Sequence, residues 1–214
     1  IITVIFCCIL YQETLYKMKR FLLTLILMFN FQCFVNADDI RDFQIEGVSV
    51  GESILNYKDL NYVRNILKDK NTFYYKNRKY AVINLNVTSN LFDYVAVTIK
   101  PKDKKYIIYA IEGTSTFPNQ FKSCKVKMKK ISNDILSMFP GKDFRKIIKK
   151  KHDYDRTGKS FFDANIMDLQ NGSIEIFCIN WSNKISKEKN FQDELKLGIL
   201  KHEFREWVNT QAFN

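Results

Sequence analysis

The sequence predicts an α+β fold: antiparallel meander sheets packed by helices, roughly a helix plus four strands, twice, followed by a C-terminal helix. Three observations carry this expectation. Short segments rich in Val, Ile, Phe and Tyr come in two groups, separated by turn-like stretches such as "KNRK", "PKDK" and "QNGS". Each group is preceded by a stretch with helical apolar spacing. The long runs of consecutive strands leave no place for the strand–helix alternation of a parallel sheet.

The fold begins only after residue 37. From Met18 the chain reads Lys19 and Arg20, the apolar stretch "FLLTLILMF", then "NFQCFVNA", the pattern of an export signal cleaved before Asp38. Asn30 and Gln32 interrupt the apolar stretch, leaving it shorter than the roughly 20 residues of a membrane-spanning helix. Residues 1–17 are read as upstream mistranslation, 18–37 as signal peptide and 38–214 as a single mature domain. Removing Lys17, Lys19, Arg20 and Glu13 with the leader takes the net charge from +11 to +9. A domain of this size buries about 70% of its unfolded surface, enough for a core without metal.

The first mature element is a brief strand or extended arm at 43–46. A helical stretch follows from Ser49 to about 69, with Ile54, Leu55, Leu60, Val63, Ile66 and Leu67 near helical spacing and a break at 56–59. Four strands are expected at 73–75, 80–86, 94–100 and 106–112. Val95, Val97 and Ile99 alternate with Tyr94, Ala96 and Thr98, as on a strand with two distinct faces. The helix at 118–139 is the most regular: Phe121, Cys124, Met128, Ile131, Ile135 and Met138 recur at steps of three and four, with lysines elsewhere. Strands resume at 145–152, 159–168 and 173–181, the last two joined through Asn171-Gly172 as a positive-φ turn. Residues 193–200 suit strand or helix; strand to 199 and helix over 201–212 is the assignment adopted.

Of five cysteines only Cys124 and Cys178 remain after the leader, each on an apolar face. In an exported chain such a pair forms one disulfide; the alternative is two buried free thiols. Export makes the expected location periplasmic or secreted.

The chemical motifs are short. "GVSVG", 47–51, has the spacing of a serine nucleophile elbow, with His152 or His202 as conceivable bases. Ser49-Val50-Gly51-Glu52 also reads as a helix capping box, the reading preferred here. "RTGKS", 156–160, lacks the first glycine of a phosphate-binding loop and runs into a strand, so it is a turn. Neither the histidines, fifty residues apart, nor Asp153 and Asp155 have metal-site spacing, and no metal or cofactor is expected.

The lysine-rich helix and "RKIIKKKHDYDR" concentrate positive charge. In an exported protein this excludes nucleic acid as the natural partner and leaves anionic envelope polymers, lipid surfaces or another protein. The leading expectation is thus a monomeric, non-enzymatic protein that binds such a partner. One alternative is a small serine hydrolase using Ser49. Another is a carrier of a small apolar ligand, with Tyr106, Tyr109, Phe161, Phe162, Phe177 and Trp181 lining a groove.

The opening "DDIRDFQIEGVSVGESIL", the "KSCKVKM" helix start and the "CINWS" strand together resemble a set of small exported proteins from low-GC marine bacteria. The resemblance implies that Cys124 and Cys178 are shared features and that the protein is exported. It brings no assigned activity. In layout alone, a helix followed by four strands in tandem also looks like certain secreted inhibitor and outer-membrane assembly modules.

Overall fold

The computed structural model describes residues 39–212. The expected leader at 18–37 and the segment before it lie outside the described residues. Among the described residues four α-helices, an eight-stranded sheet and a two-stranded hairpin make up an α+β fold.

The hairpin is the first correction to the sequence reading. β1 (Gln44–Ile45) and β2 (Val48–Ser49) pair antiparallel around Glu46-Gly47, both at positive φ (51° and 76°). Such a two-residue turn matches the natural twist of paired strands. Ser49 therefore lies in a strand and caps nothing. Gly51 follows at φ 92°, and its N–H donates to the Ile108 carbonyl at 2.9 Å, diverting the chain onto the sheet before a helix can begin. The capping role falls to Ser53, whose hydroxyl accepts the Leu55 N–H at 3.2 Å at the start of the 3-10 turn Ile54–Asn56. The expected break at 56–59 is present. Beyond it Asp59 caps α1 (Leu60–Lys68) by accepting the Tyr62 N–H at 2.8 Å.

The strands are β3 (Phe73–Tyr74), β4 (Ala81–Asn84), β5 (Tyr94–Ile99) and β6 (Ile108–Thr116), then β7 (Arg145–Lys151), β8 (Phe161–Leu169), β9 (Gly172–Asn180) and β10 (Glu194–Lys201). Between the two sets runs α2 (Phe121–Met138), while α3 (Asn183–Lys189) interrupts the second set and α4 (His202–Thr210) closes the fold. The spatial order is β3-β4-β5-β6-β10-β9-β8-β7, with every neighbouring pair antiparallel. Each group of four strands is a meander, and the two meet through their last strands, β6 and β10. The ambiguous stretch is strand from Glu194 to Lys201, with Asp193 just outside it.

Sequence alternation decides the two faces of this sheet. Val95, Val97, Ile111, Ile174, Ile176, Cys178, Leu195, Leu197 and Ile199 share one face by register and are buried there. The β1–β2 hairpin, α1 and α2 cover it; Cys124, Met128 and Ile135 enter from α2 and Val63 from α1. On the opposite face α4 sets Phe204 and Trp207 against Tyr80, Tyr109 and Ala110. Cys124 and Cys178 form a disulfide between α2 and β9, with Cα atoms 5.9 Å apart and 54 residues of separation. In the chain-entropy account a loop of that length contributes about 4 kcal/mol.

The turn before β9 differs from expectation. Leu169 pairs with Gly172, so the loop is Gln170-Asn171 and neither residue has positive φ. Gly172 is needed for another reason: a Cβ there would stand 2.0 Å from the Leu200 carbonyl oxygen and 2.7 Å from Ile40 Cδ1. Close approach of β9 to β10 demands the glycine.

Candidate functional site

The two cationic segments noted in the sequence lie beside one another across β8. Three rungs join them. At one end the Phe121 and Phe161 rings meet edge to face with centroids 5.1 Å apart, and Phe161 is opposite Lys151 on β7. In the middle Lys125 Nζ is 2.6 Å from Asp163 Oδ2, while Asp163 Oδ1 accepts the Lys149 backbone N–H at 2.8 Å. At the far end Asn165 Nδ2 donates to Ser132 Oγ at 2.8 Å, and Asn165 pairs with Lys146. The result is a cationic shoulder running from the outer flank of α2 to the edge strand β7.

Cations outnumber acids on this shoulder, where Asp134 of α2 is an exposed carboxylate one turn from Lys130. β7 reads "RKIIKKK", with five cations, all exposed, and no acid. Lys122, Lys125, Lys129 and Lys130 of α2 are exposed as well. Asp163 is the acid beneath them, and it is buried and held by Lys125 and the Lys149 N–H. A buried carboxylate needs such partners. Between Ile147 and Lys150 the β7–β8 register shifts, and Lys149 has φ 48°. A bulge with lysines is also how an edge strand resists pairing with another chain. The edge therefore offers charge more readily than a template for strand addition.

The 152–160 loop beyond β7 is spoken for. Asp155 Oδ1 accepts the Thr157 N–H (2.9 Å) and hydroxyl (2.7 Å), and Oδ2 accepts the Ser160 hydroxyl (2.7 Å), the Ser160 N–H (2.9 Å) and the Ser182 hydroxyl (2.8 Å). These bonds, the Ser160 hydroxyl first, hold Asp155 well below the usual carboxylate range. "RTGKS" is thus an internal turn whose donors already serve a carboxylate.

The other sequence candidates are scattered. Ser49 is 3% exposed, and its N–H donates to Tyr57 Oη at 3.3 Å. No strand–turn–helix surrounds it, since the next α-helix starts at Leu60. Among the described residues neither histidine is hydrogen-bonded to it: His152 Nδ1 accepts the Tyr154 N–H, and the His202 N–H donates to the Asn171 carbonyl. Of the six proposed groove aromatics, Phe162, Phe177 and Trp181 share one cluster, in which Trp181 also borders the cavity before α3, while the other three lie apart from it. Phe161 faces α2, Phe162 and Phe177 pack together on the opposite face, and Tyr109 belongs with Tyr80 beneath α4. Tyr106 packs against the main core.

A cavity of about 610 Å³ opens where β9 passes into α3, lined mainly by polar groups including Asn119, Lys159, Asn180, Lys184 and Asp193. Burial raises the Asp193 carboxyl, although Asn180 Nδ2 and the Trp181 N–H both donate to it. On the sheet face away from α2, Lys196 bridges Glu112 (3.0 Å) and Glu194 (3.8 Å). Burial disfavours its charge, yet the two carboxylates outweigh this and hold the ammonium above its ordinary value. Among the described residues no group of three or more His, Cys, Asp or Glu is placed to hold a metal, and no helix is long and apolar enough to cross a membrane.

Sequence reasoning missed α3 and the three rungs. Ser182 accepts the Ile185 N–H at 3.4 Å as the N-cap of α3, a signal that was legible in "SNKISKEK". The rungs had a fainter one. Asp163 and Asn165 alternate inward with Phe161 and Met167, and polar residues at inward positions require partners. No protein family, curated protein or solved structure matches this chain.

Proposed function

We propose that this chain is an exported, non-enzymatic binding protein that holds an anionic component of the cell envelope on its cationic shoulder. The observation that carries the reading is the juxtaposition of α2 and β7, which gathers two cationic segments onto one surface, with Asp163 buried and paired beneath them and Asp134 exposed one turn beyond Lys130 on α2. The disulfide fits a non-cytoplasmic compartment, where thiols are not kept reduced. The leader-like segment from Met18 supports the same location, in the periplasm or outside the cell. Export in turn removes nucleic acid as the natural polyanion.

The test is equilibrium binding to soluble polyphosphate and to phosphatidylglycerol vesicles, for the native protein and for a triple charge reversal, Lys146→Glu, Lys149→Glu and Lys151→Glu, since Lys150 lies over Phe162 on the other face. Each lysine near an anionic surface is worth a factor of about five, so the reversal should weaken binding on the order of a hundredfold or more. Added salt should weaken the native interaction, because exposed charges are screened. Affinity indifferent to both the reversal and salt would remove the shoulder from consideration.

A further inference from the structure

We infer that the anionic partner is a lipid bilayer surface, and that Val126 and Ile148 enter its interface while the surrounding lysines hold the headgroups. The inference rests on the reading of the shoulder as the binding face and adds what the face is shaped to meet. Of the large apolar side chains left exposed, Val126 (73%) and Ile148 (70%) are the most exposed. Both sit in the middle of cations. At 100° per residue Val126 points away from buried Cys124 and Met128, and Lys122, Lys129 and Lys130 are its neighbours one turn away. Ile148 stands at the β7 bulge, followed by Lys149, with Ile147 and then Lys146 before it.

The two elements that carry them are joined beside these residues. Val126 follows Lys125 and Ile148 precedes Lys149, and these lysines are the two ends of the middle rung through Asp163. A soluble polyanion gives an exposed isoleucine nothing to gain. A bilayer interface does, since apolar side chains there leave water while lysine ammonium groups meet phosphate at the same depth. An apolar side chain ringed by lysines on two adjacent elements is the chemistry of an anionic membrane surface.

The experiment uses the full chain with Val126→Ser and Ile148→Ser together, measured on phosphatidylglycerol–phosphatidylcholine vesicles and on soluble polyphosphate. Both side chains are exposed, so an unchanged melting curve is expected and serves as the folding control. The double variant should bind vesicles about tenfold more weakly, with polyphosphate affinity unchanged. Separately, Ile148→Trp should shift its emission to the blue on vesicle addition, against the background of buried Trp181 and Trp207. Unaltered vesicle binding by the double serine variant, or binding of polyphosphate without vesicles, overturns the bilayer inference and leaves the anionic reading standing. Failure of Lys149→Glu with Lys151→Glu to weaken either ligand overturns both.

Discussion

His152 shows how one side chain ties this fold to pH. Its ring lies 4.4 Å from Trp181 and 5.9 Å from Phe162. Burial lowers its pKa below the ordinary 6.5; Asp153 opposes this in part, Lys196 adds a smaller lowering, and Asp155 opposes least. The unfolded chain therefore takes up a proton at higher pH than the folded one. Stability is whole above pH 6.5 and declines as pH falls through the folded value. Replacing His152 with Phe should flatten the melting temperature between about pH 5 and 7, whereas an unchanged acid slope in the variant would contradict this role. Asp155, held low by hydroxyl donors, gives up its contribution in more acid solution. At this scale the sequence was partly legible: "RTGKS" read correctly as a turn because its glycine spacing was wrong for phosphate. Ser49 did not read correctly, since Ser-x-x-Glu is local, whereas the hairpin that captures Ser49 is stabilised by packing Val48 and Val50 into the distant core.

At the scale of elements, α2 was legible almost residue by residue because a long helix writes its own period. Cys124, Met128 and Ile135 are buried as their spacing implies, though Ser132 joins them and Met138 turns out. Short elements were not: α3 spans only seven residues, too few for a period to show. The β8–β9 connection was placed correctly and explained wrongly, and the difference is measurable. Gly172→Ala should cost about 3 kcal/mol in urea denaturation, because a Cβ would force the β9–β10 ladder apart at the Leu200 carbonyl. A cost under about 1 kcal/mol would mean that the strands yield more easily than close packing allows.

For the whole molecule, the order helix, four strands, helix, four strands, helix was readable, with the β1–β2 hairpin and α3 as additions. The joining of β6 to β10 was not, since sequence patterns fix the faces of a strand but leave open which edges meet. That junction makes one sheet of two meanders and places β7 at its outer edge, where its lysines lie open beside those of α2. The disulfide fastens α2 onto β9, so the flank carrying Lys122, Lys125 and Lys129 is held in position over β8. The shoulder is thus a product of topology, invisible while its two segments are read apart. Amine-reactive footprinting of the native protein, with and without phosphatidylglycerol vesicles, tests this most directly. Lys122, Lys129, Lys146, Lys149 and Lys151 should become protected together, while Lys68, Lys102 and Lys187 on other elements stay reactive. Protection of those three, with the shoulder lysines still labelled, would contradict the account.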